Sequence, residues 1–296
     1  MAVLPPHGDP VGRGPVRTMR LYQTSKGIAR ADDDDELAVL DVPHRHISAL
    51  LSDTDVDAAH APIRARLSVT DAVLLAPNSP AGQLILVGAN YRSHIEEAGL
   101  QTPTRAMGLA VPAAAISAPF APIVLPAEAP TMVDYEGEIA VLIGHPGRDI
   151  PAGSGWGHIA GLCVANDISA RDVQLAGMQN GRVTDIEKII KGKTFPSFKP
   201  IGPCIVTVDD IKDCPLTLTT RVNGSQRQHA DTSEMLFGFG QVVEQISATI
   251  ELKSGDIILT GTPSGVGLAD NRYLQAGDVV EVEVDLIGTL RNTVCC

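Results

Sequence analysis

Two strand-like segments carry an acid at every second position, and their surroundings differ. In VVEVEVDLIG, Glu281, Glu283 and Asp285 share one face while Val280, Val282, Val284 and Leu286 share the other, the alternation of a strand with one face in water. In VDYEGEIAVLIG, Asp134, Glu136 and Glu138 share a face that continues into Ala140 and Leu142, and Ile139, Val141 and Ile143 occupy the opposite one. Both faces of this second strand become apolar, which puts Glu136 and Glu138 where a sheet face turns inward. Two like charges there are costly unless they are protonated or share a cation. One strand cannot surround an ion, so a third ligand must come from elsewhere. The best candidate is Asp167 in GLCVANDISARDVQ, where an apolar run ends at Asn166 and a short helical turn follows. Oxygen-only ligands favour Mg²⁺, Mn²⁺ or Ca²⁺ over zinc. The same spacing also suits a structural pair of exposed glutamates, and spacing alone does not separate the two.

The elements that must position these acids are short. The chain has 296 residues, 44% of them apolar, with 28 glycines and 21 prolines, so many tight turns are expected. The runs LILVGAN, PIVLP, EIAVLIG, GLCVAND, CIVTV, LTLTTRVNG, IILTGT and VVEVEVDLIG read as strands. One helix is predicted over 233–250, where Met235, Phe239, Val242, Val243 and Ile246 recur at helical spacing. The expected class is therefore α+β, mainly β, with a tail over 1–18, a small N-terminal domain over 19–80 and the main domain over 81–296. A net charge of −12 argues against nucleic acid, whose binders cluster Lys and Arg on phosphates. Five cysteines without a CxxC spacing form neither a disulfide framework nor a zinc site. The first residues have prolines where a secretory leader needs an apolar core, and no stretch approaches the length of a membrane span. A cytoplasmic protein with no membrane partner is expected.

Seven blocks in order, VGANYRSHIEEAG, VDYEGEIAVLIG, GLCVANDISARDVQ, GKTFPSFKPIGP, VNGSQRQHADTSEMLF, GDIILTGTPSGVG and AGDVVEVEVDLIGTLRNTV, resemble the fumarylacetoacetate hydrolase family. The resemblance implies a mixed β-sandwich roll behind a small N-terminal domain, often as a homodimer. It also implies Mg²⁺ or Mn²⁺ on Glu136, Glu138 and Asp167. His94 and Glu97 lie three apart, so on a helical turn they share a face and the carboxylate can orient the imidazole; the family uses such a pair to activate water or move a proton. By the same resemblance Lys193 stands beside the metal, Gln174 orients water or substrate, and Tyr91, Arg92 and Thr262 contact substrate. The implied activity is metal-dependent hydrolysis of a C–C bond in a β-diketone or acylpyruvate-like compound through an enolate. An isomerase, tautomerase or decarboxylase of a 2-oxo acid on the same site is the alternative. Either way the partner is a small-molecule keto substrate.

Other residues are expected to be structural: Arg171 with Asp172 as an ion pair or cap, His44 and His46 on the surface, His229, and Trp156 in a loop. Val111 stands where family members commonly carry a lysine, which predicts a less charged or greasier substrate. Phe120 replaces a small residue and is expected to reshape the pocket entrance.

Overall fold

The strand-forming runs assemble into one large sheet. Its hydrogen-bonded order is Ile63–Ser68, Glu36–Leu40, Gly27–Ala31, Arg20–Thr24, Lys199–Thr207, Ile159–Asn166, Gly137–Ile143, Ile257–Leu259, Leu84–Val87 and Gly108–Val111, with Ile116–Ser117 alongside Lys199–Thr207 in parallel. A second sheet takes the order Ser225–Asp231, Thr217–Val222, Val279–Val284, Gly288–Cys295 and Ile123–Val124. The computed structural model describes residues 19–32, 35–77, 82–179, 182–209, 211–212 and 214–296; the expected tail over 1–18 lies outside them. The described part of 19–80 supplies four strands that extend the large sheet, because Arg20–Thr24 pairs antiparallel with Lys199–Thr207. Among the described residues no helix is long and apolar enough to cross a membrane.

Three apolar clusters hold these layers. Ile139, Val141 and Ile143 face a core shared with Leu218, Val282, Val284 and Leu290 of the second sheet. Ala140 and Leu142 point the other way, into a cluster with Leu84, Leu259, Ile205, Ile47 and Leu50. The strand Gly137–Ile143 is thus covered on both faces, which is why its apolar residues do not alternate with polar ones. A third cluster of Val133, Tyr135, Ile168, Phe198, Val222 and Val280 packs around the segments that carry the acids. Each fully buried Ile, Leu, Val or Phe contributes about 1.5–3 kcal/mol relative to exposure.

The helix predicted over 233–250 is shorter. It spans Phe239–Ser247, after a 3₁₀ turn at Thr232–Glu234. Met235 is extended, with φ −62° and ψ 138°, and bridges to Tyr91. From this extended position its side chain enters the main apolar cluster without belonging to a helical face, so its place in the apolar period is coincidental. Gly238 opens the helix, its N–H donating to Gln241 Oε1 at 3.1 Å. Trp156 packs edge-on against Phe239 with ring centroids 5.8 Å apart, a structural role as expected.

Candidate metal centre and active site

The strands Gly137–Ile143 and Ile159–Asn166 run antiparallel, with Glu138 opposite Ala165 and Gly137 opposite Asn166. Both end at the same edge, so Glu136 and Glu138 at one strand's start meet Asp167 just past the other's end. Asn166 Oδ1 accepts the Glu136 N–H at 3.0 Å, and the Asp167 N–H donates to the Glu136 carbonyl at 2.7 Å. One carboxylate oxygen from each of Glu136, Glu138 and Asp167 lies within 4.8 Å of the others, and all three residues are buried. The reading as exposed structural glutamates is excluded.

Three buried cations surround the acids. Lys193, at the end of the helix Ile186–Lys193, donates to Glu136 Oε2 and to Asp167 Oδ2, the latter at 2.8 Å. Arg171 donates from Nη2 to Glu136 Oε1 at 2.6 Å and from Nε to Asp134 Oδ2 at 2.7 Å. Lys199 Nζ lies 2.9 Å from Asp167 Oδ1. Burial pushes the Glu136 carboxyl up, but Lys193, Arg171 and His94 outweigh it and hold the group below the usual carboxylate range. Glu138 behaves oppositely. Burial and the charges of Asp167 and Glu136 raise it well above the ordinary value. Burial lowers Lys199 to about 8 against the pull of Asp167.

Glu138 has no ion-pair partner among the described residues, and its Oε2 accepts only the Gly261 N–H, at 2.7 Å. Gly261 is at φ +99°, and a Cβ there would stand 2.9 Å from Asn90 Cβ, so this donor needs glycine. An uncompensated buried carboxylate beside two others, all hard oxygen donors, fits a divalent cation such as Mg²⁺ or Mn²⁺. Glu136, Glu138 and Asp167 are the residues that would hold it.

The predicted proton-handling pair is on the helix Arg92–Glu97. His94 Nδ1 lies 3.6 Å from Glu97 Oε2, with side chains 15% and 21% exposed, so the pair sits at the border between solvent and cluster. Glu97 Oε1 in turn accepts the Gly265 N–H at 2.9 Å, which ties the helix to the 261–265 loop. Tyr91 is fully buried, and burial together with Glu138 raises its hydroxyl above the ordinary value. Arg92 is exposed at the start of the same helix. The Thr262 hydroxyl is committed to the protein: it donates to the Gly137 carbonyl at 2.8 Å and accepts from Gln228 Nε2 at 2.8 Å. Gln174 Oε1 accepts from Arg171 Nη1 at 2.9 Å.

Several expectations need correction. Arg171 does not pair with Asp172, whose Oδ1 accepts the Val173 N–H instead; it is buried between Asp134 and Glu136, two carboxylates of one segment to which only the fold brings it. Val111 pairs with Leu84, which is level with Ile257 and so with Leu142. That places it four residues along the strand direction from Glu138, about 13 Å, inside the cluster of Leu84, Leu142 and Leu259. No reading of substrate charge follows from it. Phe120 packs against the main core rather than standing free at an entrance. His44 is half-buried, its Nε2 3.0 Å from Asp53 Oδ2, not a free surface group. Asp134 and Lys199 join the site beyond the residues that the sequence motifs point to. Their signal was a charge inside an apolar context, as in KPIGPCIVT.

A model of the fumarylacetoacetate (FAA) hydrolase C-terminal region matches residues 83–295, and the chain belongs to that family. Oxaloacetate tautomerase FAHD2A, mitochondrial, of Bos taurus is 38% identical over 240 residues, covering 80% of this chain and 73% of that protein. The fumarylacetoacetate hydrolase of psychrophilic Exiguobacterium antarcticum superposes with a TM-score of 0.79 at 32% identity, covering 94% of this chain and 99% of that one. A fumarylpyruvate hydrolase from Pseudomonas aeruginosa, solved with Mn²⁺ and pyruvate, gives a TM-score of 0.64 at 28% identity over 74% and 91% of the two chains. The mainly β architecture is that of the family, and the protein is an enzyme.

Proposed function

We propose that this enzyme interconverts the keto and enol forms of a 2-oxo acid in a divalent-metal-dependent reaction. The observation that carries this is a proton-handling pair set against a buried, charge-rich cluster: His94 Nδ1 lies 3.6 Å from Glu97 Oε2, and Glu97 Oε1 accepts the Gly265 N–H of the same loop whose Gly261 N–H meets Glu138. A bound Mg²⁺ or Mn²⁺ would polarise adjacent substrate oxygens and lower the cost of enolate charge. Lys193 Nζ is the fixed cation beside Glu136 and Asp167, placed to meet a substrate carboxylate or the developing enolate oxygen. With Nδ1 turned to Glu97, His94 Nε2 is the atom that takes the proton from the carbon next to the carbonyl and returns it. Glu97 Oε2, 3.6 Å from Nδ1, stabilises the imidazolium electrostatically while the proton is held there.

Enolisation needs only these groups, whereas hydrolysis also needs a water held for attack, so tautomerisation takes precedence. Similarity to the bovine tautomerase supports it. Hydrolysis of an acylpyruvate-like C–C bond is the second reading, supported by similarity to the two hydrolases. The test is ¹H NMR of oxaloacetate with enzyme and Mn²⁺-free Mg²⁺ buffer in D₂O, alongside an acylpyruvate in ¹⁸O-labelled water. Accelerated exchange of the protons next to the carbonyl, abolished by chelator and by His94→Ala, is the expected result. Label in a new carboxylate without such exchange would establish the hydrolase reading instead.

A further inference from the structure

Lys199 opens an otherwise continuous buried strand and is itself wholly buried. Its ammonium lies 2.9 Å from Asp167 Oδ1 and donates to the carbonyl oxygens of Ile168 at 2.8 Å, Phe198 at 3.2 Å and Lys193. It donates to the backbone of Lys193 and stands at ion-pair distance from a metal-ligand candidate whose Oδ1 accepts no hydrogen bond among the described residues, while Lys193 Nζ donates to the other Asp167 oxygen. The two lysines therefore divide one carboxylate: Lys193 reaches across to Glu136, and Lys199 sits behind on the backbone carbonyls.

The charge of the whole set follows. Asp134, Glu136, Glu138 and Asp167 face Arg171, Lys193 and Lys199, all of them buried; with Glu138 ionised, as a cation on it would require against the upward push of burial, Asp167 and Glu136, the set carries one net negative charge. Adding a divalent cation turns this into one net positive charge, complementary to an anionic 2-oxo acid. Without Lys199 the loaded site would carry no net charge and would hold the same anion less well.

We propose that Lys199 is a positioning and charge-setting residue: it weakens the site's hold on the bare cation so that the loaded site retains its attraction for an anionic 2-oxo acid. This rests on the metal-dependent 2-oxo acid reading above. A residue that only braced the fold would, when replaced, weaken cation and anion binding together. A charge-setting residue moves them in opposite directions.

The test is calorimetric titration of Mn²⁺ into the metal-free full chain at neutral pH, for the parent and for Lys199→Gln, Lys199→Met and Lys199→Arg. Oxalate, a planar anion with the two-oxygen bite of a 2-oxo acid enolate, is then titrated into each Mn²⁺-loaded protein. Lys199→Gln keeps a hydrogen-bond donor for the Ile168 and Phe198 carbonyls, so it carries the test if Lys199→Met does not fold. In the neutral variants Mn²⁺ is expected to bind about tenfold tighter and oxalate about tenfold more weakly, with Lys199→Arg close to the parent in both. Mn²⁺ binding no tighter than the parent's, or oxalate binding that does not fall, overturns the proposal. If the parent itself takes up no Mn²⁺, it is the metal-dependent reading that fails.

Discussion

The strands Val279–Val284 and Gly137–Ile143 begin from nearly the same alternation of acids and aliphatics, yet only one borders the candidate metal centre. Glu281 and Glu283 lie on a partly open face, paired with Arg291 at 3.2 Å and Arg221 at 2.6 Å, their side chains 30% and 48% exposed. Pairs of that kind are worth about 0–1 kcal/mol. Glu136 and Glu138 stand where both faces of the sheet are covered, and ions in such places cost several kcal/mol unless they are matched by partners. Lys193 and Arg171 match Glu136, and nothing ionic among the described residues matches Glu138. The covering layer, not the acid spacing, makes the difference.

Substitutions can break that contrast. Glu136→Ala has the largest expected effect, because it leaves Lys193 and Arg171 buried without their shared carboxylate: about 3–5 kcal/mol of stability lost, with no Mn²⁺ uptake and no turnover. Urea unfolding and metal analysis of the purified variant check this, and parent-like metal content would contradict it. His94→Ala is expected to lower turnover about 10²–10⁴-fold while Mn²⁺ affinity stays at the parent's value; equal loss of metal in both variants would refute the separation of roles. Glu138→Gln replaces a carboxyl that burial, Asp167 and Glu136 already disfavour as an anion, so the metal-free protein should melt no lower than the parent, and the rise in Tm that Mn²⁺ gives the parent should vanish. A persisting Mn²⁺-dependent rise would show that the carboxylate is not a ligand. At the small end, Glu281→Gln and Glu283→Gln should each change stability by no more than about 0.5 kcal/mol and leave Mn²⁺ titrations unchanged. A clear effect on metal binding from either would collapse the distinction between the strands.

Much of the architecture was legible because period and punctuation are local properties. The eight apolar runs all contain strands, and the apolar acid-bearing strand was rightly placed inside. The helix was over-extended at its start because an extended, bridged Met235 buries its side chain as a helical one would. The triad and the His94–Glu97 pair were legible from residue type and motif. Proximity in sequence points Arg171 to the adjacent Asp172, whereas its partners, Asp134 and Glu136, are 37 and 35 residues away. Val111 misled in the same way, through a position counted along the chain that the strand register moves to the far end of the sheet.

Residue order alone settled which segments become strands, which acids lie on apolar ones, and that a histidine and a glutamate share a helical turn, since each depends on neighbours within a few positions. The tertiary structure decided how the charges are matched. Whether a buried carboxylate meets an ammonium, a guanidinium or only a backbone N–H depends on which strand ends and loops are brought to one edge. Among the described residues, this left Glu138 without an ion-pair partner and put Lys199 behind Asp167.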